Sequence, residues 1–235
     1  MRKIIASFLV SGVIPLAAFG LTACSDGSAQ NAETTASSSP GMAQMDHGSM
    51  SSPGSSSPAP MDHASMSSMD LGPADEIFDL RFIDAMIPHH EGAVAMAREA
   101  LQKSNRPEIK QLAQAIIEAQ EKEISALKQW RQTWYPRMSD EPIMYSVEMG
   151  HTMPMTDEMR SSMMMNGDLG AADDQFDLRF INAMIPHHEG AIEMAGQALE
   201  KSDRPEIIKL AQDIIDSQQQ EVEQMQQWRQ NWYGQ

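Results

Sequence analysis

The chain has 235 residues, 21 of them Met and one Cys, and a formal net charge of −16. That acidity excludes a nucleic-acid partner, which needs a basic surface, and the lone cysteine excludes an internal disulfide. It suits cations, although solubility explains it equally well.

Arg2 and Lys3 precede an apolar run from Ile4 to Leu21, which reads as a secretory leader over residues 1–23 and not as a domain. The sequence "LTAC" that follows has the form of a bacterial lipobox, so Cys24 is expected to become a lipidated N-terminus. The mature chain would then be held to a membrane outside the cytoplasm, in the periplasm or at the cell surface. Since Arg2 and Lys3 leave with the leader, the remaining chain carries −18.

Residues 24–72 are mostly Ser, Pro, Gly, Ala and Met. Such a segment lacks the apolar surface to offset its ordering entropy, so a disordered tether is expected. Two near-copies of one hexapeptide lie in it, "MDHGSM" and "MDHASM". They bring Met45, His47, Met50, Met61, His63 and Met66 into an exposed setting that needs no core packing.

An internal duplication follows. Residues 78–135 align with 176–233 without a gap, and 38 of the 58 positions are identical. Each copy has the period of two amphipathic helices joined by a short loop with Pro just inside the second helix. The expected hairpins span residues 73–135 and 173–235. In the first helix Phe78, Phe82, Ala85, Met86, His89, Ala93, Met96, Ala97 and Ala100 share a face, while Asp84, Glu91, Arg98 and Glu99 fall opposite. One hairpin cannot cover its own apolar face, so an all-α fold is expected in which the two tandem hairpins form one four-helix bundle. The Met-rich connector, 136–172, carries "MGHTMPM" and "MMM" and has a short helix expected from Thr156.

The candidate ligands cluster in the repeated "MIPHHEGA". Met86, His89, His90 and Met96 lie along one stripe of the first helix, and Met184, His187, His188 and Met194 repeat it. Hairpin register brings Gln120 and Glu123, and in the second repeat Gln218 and Glu221, to the height of the histidines. Asp79 with Arg131, and Asp177 with Arg229, are expected as internal ion pairs. In the connector Met149, His151, Met153 and Met155 extend the Met-His pattern of the tether. Thioether sulfur suits Cu(I) and imidazole suits copper in either oxidation state, so copper is the expected metal.

The pattern F-D-x-x-F-I-[DN]-A-M-I-P-H-H-E-G-A-[VI]-x-M-A, at 78–97 and 176–195, resembles the bacterial domain of unknown function 305. That resemblance implies a ferritin-like helical domain with extracytoplasmic copper-binding members and Met/His ligands. The expected function is a non-enzymatic copper-binding or buffering lipoprotein in copper homeostasis or resistance, with metal ions, a membrane anchor and a copper-handling protein as partners. Two rivals stand beside it. One is a structural or partner-binding bundle with buried histidines as polar locks. The other is a ferritin-like metal oxidase, for which neither repeat has the Glu-x-x-His pair of di-iron bundles.

Overall fold

The computed structural model describes residues 69–235. The leader, Cys24 and the ligand candidates Met45, His47, Met50, Met61, His63 and Met66 lie outside the described residues. Helix α1 spans Phe78–Lys103 and α2 spans Pro107–Trp134; after the connector, α4 spans Phe176–Lys201 and α5 spans Pro205–Tyr233. Pro opens both α2 and α5, where its missing N–H costs nothing. Each hairpin loop is closed by a serine hydroxyl, Ser104 or Ser202, accepting from the backbone N–H two residues on. α1 and α4 each run on through their internal proline, Pro88 and Pro186.

Within each repeat the two helices pack as a hairpin, and the repeats meet through α1 and α4. These two run antiparallel, because the apolar core at one end combines the N-terminal half of α1 with the C-terminal half of α4. Phe78, Phe82, Ala85 and Met86 meet Ala191, Met194, Ala195 and Ala198 there. At the other end Ala93, Met96, Ala97 and Ala100 meet Phe176, Phe180, Ile181 and Met184. The expected apolar face of α1 is thus buried throughout. Met86 and Met96 share a helix stripe but fall in opposite cores, with the histidines between them.

The expected ion pairs Asp79–Arg131 and Asp177–Arg229 are not formed. Asp79 instead pairs with Arg204 at 3.1 Å and Asp177 with Arg106 at 3.3 Å, so each links the start of one repeat to the loop of the other. The same guanidinium groups lie over Trp134 and Trp232, 4.4 and 4.2 Å from the ring centres. Arg131 reaches Asp84 at 2.5 Å. Helical side chains lean toward their own N-terminus, and in an antiparallel hairpin that carries Arg131 toward the loop, past Asp79.

The connector is more ordered than its composition suggests. Strands β1 (Ile143–Ser146) and β2 (His151–Pro154) form an antiparallel ribbon, with Met144 opposite Met153 and Ser146 opposite His151. Helix α3, Asp157–Met164, begins at Thr156, whose hydroxyl accepts from the N–H of Met159. Ribbon and helix cover the outer face of α1. Asp84, which the helical pattern assigns to the solvent face, is therefore only 2% exposed. Its carboxylate accepts from Arg131 and from the N–H of Ile143. Burial raises its pKa, while the Arg131 bond and the Ile143 N–H oppose the rise.

The tether's expected end at residue 72 also moves back. Met69 and Leu71 are buried in the core. Gln197 clamps them to α4, its amide donating to the Met69 carbonyl at 2.8 Å and accepting from the Leu71 N–H at 2.9 Å. At Gly72, φ +81° and the Tyr145 ring leave no room for a Cβ.

Candidate metal centre

His89, His90, His187 and His188 are each 0% exposed and form one layer between the two apolar cores. His89 on α1 and His187 on α4 meet at the centre, ring centroids 3.9 Å apart and tilted by 48°. Within each pair the rings are 6.4 Å (His89–His90) and 6.3 Å (His187–His188) apart. His90 and His188 turn toward the second helix of their own hairpin. His188 Nε2 donates to Glu221 at 2.6 Å, and His90 Nε2 lies 2.8 Å from Glu123, close enough for an ion pair but poorly aligned for a hydrogen bond. Gln120 and Gln218, on the turn of α2 and α5 that precedes these glutamates, are buried, each with its side-chain carbonyl oxygen unpartnered. The hairpin register thus delivers these polar residues to the height of the histidines.

The electrostatics keep the central rings neutral. Burial is the main cause of the lowered His187 pKa, about 3, and the neighbouring histidines lower it further. His89 is also held well below the ordinary value, first by burial and then by His187, His90 and His188. A neutral imidazole keeps one lone pair for a metal. His187 Nε2 lies 3.2 Å from the Met164 carbonyl, which can only accept, so Nε2 carries the proton and Nδ1 the lone pair. The Glu221 carboxylate at Nε2 of His188 likewise leaves Nδ1 with the lone pair, the form in which a carboxylate-held histidine could offer a nitrogen to a metal.

Buried polar atoms are normally partnered. In this layer Nδ1 of all four rings, and Nε2 of His89 and His90 as well, have no hydrogen-bond partner. Buried, unpartnered imidazole nitrogens fit a borderline or soft cation. Among the described residues no three His, Cys, Asp or Glu groups are arranged to hold an ion. A metal here would draw on two imidazoles or on imidazole with sulfur, a donor set that suits Cu(I). An open cleft of about 650 Å³ between α2 and α5, lined in part by Leu112, Glu221 and Trp228, reaches the carboxylate that holds His188.

The methionine candidates divide. Met86, Met96, Met184 and Met194 are fully buried core residues flanking the layer. Met149, His151, Met153 and Met155 are distant from the layer in sequence and belong to the ribbon or its ends, in an ordered setting and not on a flexible segment. His151 is exposed, with Nδ1 3.1 Å from the Met149 carbonyl. Two methionines that sequence reasoning passed over stand beside the layer, Met69 and Met165. The run "MMM" was a signal for Met165; Met69 was hidden by the composition of the tether.

Residues 25–131 and 79–229 each match the family described as "Domain of unknown function (DUF305)". Among solved structures, CopM in its Cu(II)-bound form is similar at 44% identity and a TM-score of 0.53, over 66% of this chain and 97% of that chain. Its Cu(I)-bound form gives 41% and 0.51 over the same shares. A DUF305 protein from Streptomyces coelicolor is similar at 26% identity and a TM-score of 0.50, over 63% of this chain and 88% of its own. The uncharacterized protein L153 of Acanthamoeba polyphaga mimivirus is 45% identical over 49 residues, 21% of this chain and 32% of its own. The chain thus spans about a third of the length of the curated relative it matches.

Proposed function

The chain belongs to the DUF305 family, and from that premise we propose that it binds and buffers copper outside the cytoplasm without catalysing a reaction. The observation that carries this reading is the layer of four fully buried histidines with unpartnered ring nitrogens. Similarity to CopM, solved with Cu(I) and with Cu(II), supplies the choice of metal. Copper would be held by His89 and His187, with His90 and His188 adding Nδ1 and with Glu123, Glu221, Gln120 and Gln218 orienting the rings. Met86, Met96, Met184 and Met194 keep the surroundings dry and offer sulfur on either side. The Met-His hexapeptides and the ribbon residues Met149, His151, Met153 and Met155 would capture metal at the surface, where many weak ligands on one chain act through effective concentration. The leader-like start and Cys24 support lipid anchoring; no helix of the described residues is long and apolar enough to cross a membrane. A copper-handling protein would be the natural recipient.

One observation favours a rival. Glu123 and Glu221 face His90 and His188 as polar locks would, which gives the layer a structural use without metal. Anaerobic Cu(I) and aerobic Cu(II) titrations of the chain from Ser25, with melting curves on the same samples, separate the two. His89→Ala with His187→Ala lowers copper stoichiometry and affinity if the layer binds metal; His90→Ala with His188→Ala does so less. Lost stability with unchanged copper binding would leave only the lock.

A further inference from the structure

The two repeats present their histidines to different surroundings, and the difference lies at a pair of equivalent glycines. Gly92 on α1 makes room for backbone: a Cβ there would stand 1.8 Å from the Met164 carbonyl oxygen, the group that also accepts from His187. Gly190 on α4 makes room for side chains. A Cβ there would lie 3.2 Å from His89 Nε2, 3.3 Å from Met69 Cε and 3.8 Å from Met165 Sδ. The missing Cβ thus leaves a small space bordered by one imidazole and two thioether side chains. His89 is fully buried, and neither of its ring nitrogens has a partner.

We infer that His89, Met69 and Met165 form a soft-metal site over Gly190, on one side of the histidine layer only. The inference rests on the copper reading above and adds to it a sulfur donor set and a direction of entry. Thioether and imidazole together select Cu(I) or its analogue Ag(I) over harder ions. Each methionine is held by a feature that the other side lacks. Met69 is pinned by Gln197, where the first repeat has Glu99 paired with Lys103. Met165 closes α3 with φ +46°, the one non-glycine residue with positive φ among the described residues. A left-handed conformation is disfavoured for a side chain of this size, yet Met stands there and its sulfur faces the Gly190 space. Met165 is only half-buried while His89 is fully buried, so a metal ion meeting Met165 first would pass inward to the imidazole.

The test is Ag(I) titration of the full chain from Ser25, labelled in the methionine ε-methyls and the histidine ring nitrogens and followed by NMR. Met69→Leu and Met165→Leu assign the two methyl signals. The expected result is that the Met69 and Met165 methyls shift together with the His89 ring nitrogens. Met69→Leu with Met165→Leu should lower Ag(I) affinity by at least the roughly 10–100-fold that loss of an outer-shell partner costs a metal site. Met138→Leu, on the exposed surface, should leave affinity unchanged. Gly190→Ala, which keeps the helix and puts a methyl into the space, should also weaken binding. If the His89 and His187 rings respond but both methyls stay still, this inference is overturned and the copper reading stands. If no bundle imidazole responds, the copper reading falls with it.

Discussion

α1 and α4 begin with nearly the same sequence, "FDLRFIDAMIPHHEGA" and "FDLRFINAMIPHHEGA", yet they occupy different environments. Arg81 on α1 is completely buried. It donates to the carbonyls of Leu71 and Pro73, to Asp75 and to Thr152 of the ribbon. Its counterpart Arg179 is about one-third exposed and reaches only Leu169, Ala171 and Asp173. Asp84 is buried against Arg131 and Ile143, while Asn182 is exposed and accepts a single 3.2 Å bond from Arg229. The connector is the cause: it folds back over α1 and leaves the outer face of α4 open. Identical helical patterns therefore fix the inner face, where the histidines lie, and say nothing about what covers the outer one.

The widest gap between the repeats should appear at the arginines. Arg81→Ala leaves the buried Leu71 carbonyl without its donor and the ribbon unanchored and should cost about 3–5 kcal/mol, whereas Arg179→Ala should cost about 1 kcal/mol. Equal shifts in denaturant midpoint would remove the connector as the source of the asymmetry. At the centre, where the repeats meet, the comparison should vanish. His89 and His187 have folded pKa values depressed below the unfolded value of 6.5. The unfolded state therefore binds more protons between pH 6.5 and about 3, so stability is full above 6.5 and is lost as pH falls. In the metal-free protein His187 alone should account for about 2 kcal/mol lost by pH 5. His89→Gln with His187→Gln should flatten that slope; an unchanged slope would locate the protonating groups elsewhere.

Smaller effects sharpen the contrast further. Gly92→Ala must push α3 off α1 and should destabilise by about 1–3 kcal/mol. Gly190→Ala brings its methyl to 3.2 Å from the buried His89 ring and 3.3 Å from Met69 Cε, so the helical gain of about 0.5–1 kcal/mol is offset by the shift these side chains must make, and the net effect should be smaller than at Gly92. Thermal melts that rank them the other way would contradict the assigned neighbours. Last, Asp84→Asn should cost about 1 kcal/mol through loss of the charge-assisted bond to Arg131, and Asn182→Asp less than 0.5 kcal/mol at its exposed site. A double-mutant cycle of Asp84 with Arg131 checks the coupling.

The periodicity of the sequence was enough to give the hairpins, their loops, the buried face of α1 and the meeting of His90 with Glu123 and of His188 with Glu221. These depend on neighbours within one helix or one hairpin. Asp84 shows where such reasoning stops, because its burial comes from a segment 59 residues away. The Asp79 and Asp177 pairings also cross between repeats, and no helical wheel contains the other repeat. The Met-His stretch 149–155 looked like loop by composition, but cross-strand pairing to Ile143–Ser146 orders it. Met69 was invisible for a similar reason: a methionine at the end of low-complexity sequence is held in the core by Gln197, 128 residues further along the chain.

The claim that matters most is that the histidine layer itself holds copper. Crystals of the chain loaded anaerobically with Cu(I), measured at wavelengths on either side of the copper absorption edge, test it most directly. The account predicts an anomalous peak inside the bundle within bonding distance of His89 or His187, with the imidazoles turned toward it. Copper found only on the ribbon or outside the bundle, with the four rings still packed against one another, would contradict it.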